Sequence, residues 1–242
     1  MSSNIKIILV TGGTRGLGLA IVRRLAAEQY HVIASGRSIT SDLQVLVSER
    51  NVHFEPFDLG DHSAIYDFIK HITNSYGPIY GLVNNAALGH DGVLATMHDS
   101  QIEGLIAVNL TATILITKYA MRSMLLQRTG RIINISSIIA TTGFNGLSVY
   151  AATKAALNGF TRSLAREVGK AGITVNSVAP GYMQTDMTGD LKGEKLESIK
   201  RRSPLGRLAS VDDAAAAVLW LLGSDASAVT GTTVTIDAGS TA

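Results

Sequence analysis

Tyr150 and Lys154 stand four residues apart in a stretch whose pattern predicts a helix over residues 149–168. At that spacing both side chains share one helix face, about 6 Å apart at Cβ. A lysine ammonium so placed favours phenolate over phenol and draws the tyrosine pKa down from about 10, which is how a tyrosine becomes a general acid near neutral pH. Alone, such a pair is an ordinary amphipathic surface feature, so the surrounding residues decide. Arg131-Ile132-Ile133-Asn134-Ile135 reads as a strand that delivers Ser136 and Ser137 at its carboxyl end, where open α/β sheets bind ligands. A hydroxyl there can hold a substrate carbonyl.

A second constellation lies near the start of the chain. Thr11-Gly12-Gly13-Thr14-Arg15-Gly16-Leu17-Gly18 follows an apolar run at residues 5–10 and opens an amphipathic stretch. In a strand, Gly-rich turn and helix of this kind, backbone N–H groups and a helix N-terminus meet a phosphate. The next strand, residues 31–35, runs into Gly36-Arg37. Dinucleotide folds that take NAD place an acid there for the ribose 2′-hydroxyl, whereas a guanidinium suits a 2′-phosphate. Arg15 can reach the same phosphate, so NADP(H) is the expected cofactor.

These groups need a scaffold, and the periodicity supplies one. Short β-branched runs at 5–10, 31–35, 52–56, 80–84, 130–136, 173–179 and 233–236 alternate with helical patterns at 17–28, 63–76, 100–127, 149–168 and 211–222. Such alternation builds parallel strands joined by helical crossovers. The expectation is a single doubly wound (Rossmann) α/β domain over residues 1–242, with a seven-stranded parallel sheet and helices on both faces. The weakly periodic stretch at about 182–204 reads as a substrate lid, to which Tyr182, Met183 and Met187 offer an apolar wall.

Composition excludes several classes. With 46% hydrophobic and 17% charged residues the 242-residue chain is far from disordered composition. A net charge of +2 gives no field that would gather nucleic acid or an anionic membrane. Without cysteine there is no thiolate nucleophile, disulfide or Cys-held metal, and a cytoplasmic location is expected. No apolar run approaches the ~20 residues of a membrane span. The six histidines show no metal-ligand spacing. Gly146-Leu147-Ser148-Val149-Tyr150 falls one glycine short of a hydrolase elbow, and Ser148 reads as a helix cap.

Thr11-Gly-x-x-x-Gly16-x-Gly18, Asp58, Asn84-Asn85-Ala86, Asn109, Ser137, Tyr150-x-x-x-Lys154 and Pro180-Gly181, in this order, resemble the short-chain dehydrogenase/reductase family over almost the whole chain. The similarity is closest to its 3-oxoacyl-[acyl-carrier-protein] reductase group. It implies a fatty-acid-biosynthesis enzyme that uses NADPH to reduce a 3-oxoacyl thioester, carried on acyl carrier protein, to the 3-hydroxyacyl product. By the same resemblance Tyr150 donates the proton, Lys154 lowers its pKa and holds the nicotinamide ribose, Ser137 orients the carbonyl, and Asn109 holds a relay water. The cofactor would lie along Thr11, Gly12, Thr14, Arg15, Gly16, Leu17, Gly18 and Arg37. Asp58 and Leu59 would bracket the adenine, Asn85 and Ala86 would line the cleft, and Pro180, Gly181, Met183 and Thr185 would meet the nicotinamide end. A homotetramer is implied, paired through the helices at 100–127 and 149–168, and Arg122, Arg128 and Arg131 form a candidate basic patch for an acidic carrier. Ala87 and Ala238 stand where the family usually has glycine. Two other readings stay open: a reductase of polyketide, sugar or small alicyclic ketones, and a non-catalytic dinucleotide sensor.

Overall fold

The computed structural model describes residues 6–49, 51–183 and 194–242. Along the chain they form β1 (Ile7–Thr11), α1 (Gly16–Ala27), β2 (His31–Gly36), α2 (Ser41–Glu49), β3 (Val52–Pro56), α3 (Ile65–Tyr76) and β4 (Ile79–Asn84). Then come α4 (Asp99–Ile106), a π-helical segment (Ala107–Ala112), α5 (Thr113–Gln127), β5 (Gly130–Ile135), α6 (Ile139–Thr142) and α7 (Ser148–Val168). β6 (Ile173–Pro180), α8 (Glu194–Arg202), α9 (Val211–Leu222) and β7 (Thr233–Ile236) complete it.

All seven strands are parallel, in the order β3-β2-β1-β4-β5-β6-β7. The order reverses direction between β1 and β4, which opens a crevice at their carboxyl ends. A parallel sheet must be covered on both sides, and its strands read accordingly. Ile8, Val10, Val83 and Ile133 face α1, α2 and α9, while Leu9, Leu82, Ile132 and Val175 face α3, α5 and α7. Each fully buried Ile or Leu contributes about 1.5–3 kcal/mol, so the two layers fix strand register and with it the position of the crevice.

The structure departs from the sequence expectation in several places. α2, α6 and α8 were not among the expected helices: α6 is a single turn and α8 is mostly charged, whereas α2 is short but sets Leu43, Leu46 and Val47 on one face against the core. The helix expected at 100–127 is present as one rod, Asp99–Gln127, but its middle turn is π-helical. A π turn adds one residue and leaves no trace in a 3.6-residue pattern. At 29 residues this rod is also long and apolar enough, by length and composition, to cross a membrane, contrary to expectation, because Thr and Asn are interspersed with Leu and Ile rather than breaking the average. Here one side of it packs on the sheet through Ala112, Ile116, Ala120 and Met124, while Leu105 is buried where α4 meets α7. Its other side leaves Ile106, Ile114, Leu125 and Leu126 exposed.

Ser148 is the first residue of α7 and not its cap; the cap position is Leu147, which makes no side-chain cap bond. Ala87 does not have a positive φ and fits without strain of that kind, whereas Ala238 lies at φ 56°, in the left-handed region. The expected lid holds α8 in its second half. Thr185 and Met187 lie outside the described residues.

Candidate active site

Two of the expected cofactor positions, Gly12 and Gly18, and Gly36 beside Arg37 are glycine for steric reasons. A Cβ at Gly18 would sit 2.0 Å from the Gly12 carbonyl oxygen, and Gly12 itself has φ 63°. This lets α1 begin directly against the turn. Its cap residue, Arg15, makes no side-chain cap bond, so the first-turn N–H groups are left for an incoming anion. Gly36 faces Thr14, whose Cγ2 would lie 2.7 Å from a Cβ there. Thr14 is held in place, because its carbonyl accepts the Thr40 hydroxyl at 2.7 Å. A side chain at position 36 would therefore have to displace the Thr14 methyl, and the side chains flanking this point are the exposed Arg15 and Arg37.

Thr11 is buried, and its hydroxyl accepts the N–H groups of Asn85 (3.0 Å) and Ala86 (3.1 Å). Asn85 in turn donates its amide to the carbonyls of Thr11 and Gly12, both at 3.0 Å. These three residues lace the Gly-rich turn to the end of β4 and thereby set the width of the crevice. Asp58 is exposed just beyond β3 and accepts the Gly60 N–H at 2.9 Å, while its neighbour Leu59 is buried beneath α3. Gly181 lies at the end of β6, where its N–H bonds Ile236 O at 2.8 Å and a Cβ would strike Asp237. Leu17 and Met183 are part of the apolar layer under α1 and α9.

On the catalytic side, β5 ends with Ser136, whose hydroxyl donates to Lys154 O at 3.2 Å, and Ser137, whose Oγ accepts the Ile139 N–H at 3.3 Å. Lys154 is buried; its Nζ donates to Ile135 O at 2.8 Å and lies 5.6 Å from the centre of the Tyr150 ring. The ammonium has two further donors for a ligand. Burial draws Lys154 down to about 8 and pushes Tyr150 up to about 12. The expected lowering of Tyr150 by its lysine is thus not what this geometry gives, because desolvation of the phenolate outweighs a charge that is turned toward a backbone carbonyl. Tyr150 is a phenol at neutral pH, the form that can donate a proton.

Asn109 sits within the π segment, where its side chain grips Leu88 at both ends: Oδ1 accepts the Leu88 N–H at 2.7 Å and Nδ2 donates to Leu88 O at 2.9 Å. Its backbone carbonyl accepts the Thr113 hydroxyl at 3.1 Å. The sequence marks Asn109 but not these partners. Arg131 is a correction: it belongs to β5, only 8% exposed, with Nη1 on Gly130 O and the guanidinium over Tyr80, so it cannot be part of a surface patch. Arg128 remains exposed and donates to Lys170 O. Among the described residues no group of three or more acidic or histidine side chains could hold a metal.

The crevice fits a dinucleotide on three counts found in the chain itself: a glycine cradle, an uncapped helix N-terminus and exposed guanidinium groups at one end with a buried ammonium at the other. Comparison with known proteins agrees. Residues 6–195 match the family model of the short chain dehydrogenases. A 3-oxoacyl-[acyl-carrier-protein] reductase, FabG, of Haemophilus influenzae is 39% identical over 236 residues, covering 97% of either chain. Carbonyl reductase family member 4 of Xenopus laevis is 38% identical over 235 residues, again covering 97% of each. Among solved structures, ElxO with NADP bound superposes with a TM-score of 0.90 at 29% identity, covering 98% of both chains. The chain belongs to the short-chain dehydrogenase family. It is an oxidoreductase acting on CH–OH and C=O groups.

Proposed function

We propose that this chain reduces the 3-oxo group of an acyl thioester, carried on acyl carrier protein, to the 3-hydroxy product, with NADP(H) as its cofactor. The buried Tyr150–Lys154 pair beside Ser137, at the carboxyl end of the sheet that also carries the glycine cradle, is the observation that bears this reading. NADPH, when bound, supplies the hydride. Tyr150 Oη would give its proton to the carbonyl oxygen as the C=O π bond gives way. The Ser137 hydroxyl orients that oxygen, and the Lys154 ammonium steadies the tyrosinate left behind while holding the ribose. Arg15 and Arg37 would take the 2′-phosphate, and the N-terminus of α1 the pyrophosphate. Asp58 and Leu59 would flank the adenine, and Pro180, Gly181 and Met183 would back the nicotinamide. Asn109 acts as a strut through Leu88, with its carbonyl available to a relay water alongside Thr113.

The thioester reading is supported by the FabG relatives over nearly full length, and Arg122 and Arg128 are exposed cations that an acidic carrier would meet. The carbonyl reductase relatives support a second reading, reduction of other ketones on the same residues. We place the enzyme in the cytoplasm and as a homotetramer. The exposed apolar side of the Asp99–Gln127 rod and the apolar groove of ≈ 390 Å³ between it and α7 suit a subunit contact. The deciding experiment follows nicotinamide absorbance with purified protein, NADPH and either acetoacetyl acyl carrier protein or a panel of ketones. Turnover confined to the ketones would reject the thioester reading.

A further inference from the structure

We infer that Thr153, a residue outside the proton-transfer set, is a positioning residue that ties the first turn of α7, and with it Tyr150, to the π segment. Its side chain is buried, and its hydroxyl donates to Tyr150 O at 2.7 Å. With its proton so used, the same oxygen can only accept, and the donor facing it is Asn109 Nδ2 at 3.4 Å, a long bond. The amide orientation is fixed independently, since Oδ1 must meet the Leu88 N–H. Thr153 therefore bridges the catalytic helix and Asn109.

The bridge matters because of where Tyr150 lies. α7 starts at Ser148 with no side-chain cap, so the catalytic tyrosine is in the first turn of an uncapped helix end, the part of a helix that opens most easily. Within that turn the backbone offers Ala151 N–H to Leu147 O at 2.7 Å. The other end of the bridge is firm. Asn109 O takes the Thr113 hydroxyl, Thr113 O takes the Thr117 hydroxyl at 2.7 Å, and Thr117 Oγ1 accepts Asn84 Nδ2 at 2.9 Å, which also reaches Asn134 Oδ1 on β5. The π segment is thus pinned to the central strands, and Thr153 transmits that fixed point to the backbone of Tyr150. A back-bonded threonine inside a helix would by itself be unremarkable. Its contact with a side chain pinned to the sheet makes the difference.

The test compares Thr153→Val, which keeps shape and loses the hydroxyl, with Thr153→Ser, which keeps the hydroxyl. Thr153→Val should lose about tenfold or more in kcat, because small misplacements of a reacting group are costly, with the NADPH Kd unchanged. Its amides over residues 150–154 should also exchange hydrogen faster than those of the native chain. Thr153→Ser should restore both. Should the valine variant not fold, Thr153→Ala is read by the same criteria. Native kcat and native exchange in the valine variant, or equal losses in valine and serine variants, would overturn the inference. Because exchange is measured without substrate, a wrong substrate assignment would show as absent native turnover and leave this result standing.

Discussion

The two sides of the switch point solve the same problem, holding a ligand between β1 and β4, by opposite means. On the β1–β3 side precision comes chiefly from missing side chains: Gly12 and Gly18 let the turn close on itself and on β4, Gly36 leaves room for the Thr14 methyl, and the Thr11 hydroxyl ties the turn to the end of β4. On the β4–β6 side buried polar side chains set the geometry, with Asn84, Asn134, Asn176 and Ser177 all hydrogen-bonded in the core. A phosphate is read by N–H groups and needs the main chain close, whereas a proton must leave from one side-chain atom and needs that side chain held. One half is fitted; the other is laced.

If this division holds, the largest effect belongs to the laced side and spares the other. Tyr150→Phe should lose about 10²-fold or more of kcat, in line with removal of a general acid, with NADPH binding retained when measured by fluorescence titration. Replacing Arg15 and Arg37 together by alanine should do the reverse. NADPH affinity should fall about tenfold or more, the worth of charge-assisted bonds to one phosphate, while kcat at saturation and NADH affinity hardly change. Equal losses for both cofactors would remove the 2′-phosphate role.

A third effect concerns stability. Lys154 has a folded pKa of about 8, below the unfolded value of 10.5, so between these limits the unfolded chain binds more protons and stability rises with pH. Below pH 8 the full desolvation penalty stands. Lys154→Met should thus stabilise the ligand-free protein by roughly 1–3 kcal/mol at pH 7 in urea melts, the advantage shrinking as pH is raised from 8 toward 10. A destabilised variant at pH 7 would show that the Ile135 bond outweighs burial. Ala238 lies in neither half and sets the floor. Ala238→Gly should raise stability by about 0.5–1 kcal/mol by relieving the positive φ, with turnover unaltered.

Much of the site was legible because its signals are local. Tyr150 and Lys154 are one helical turn apart, and the glycines of the first turn lie within seven residues, so spacing brought them together and the serine strand and the family resemblance singled them out. The seven strands were legible from their β-branched runs. What could not be read depends on partners far along the chain. Asn109 meets Leu88 at a separation of 21 residues, and Thr153 meets Asn109 at 44. The burial that raises Tyr150 and the strand that swallows Arg131 are properties of packing, invisible in composition. α2 escaped notice because it is only nine residues long, although Leu43, Leu46 and Val47 stand at helical spacing, and α8 because its sequence is mostly charged.

The contact of Thr14 with Gly36 makes cofactor choice a matter of history as much as of charge. A lineage drifting toward NADH would need an acid at position 36, yet the threonine methyl obstructs any side chain there, and trimming Thr14 first leaves Arg37 still reading a phosphate. Neither single step is rewarded. Preference for the phosphorylated cofactor is in this sense latched, and the latch opens only when three positions change together: Thr14 to make room, Gly36 to supply the acid and Arg37 to stop reading a phosphate.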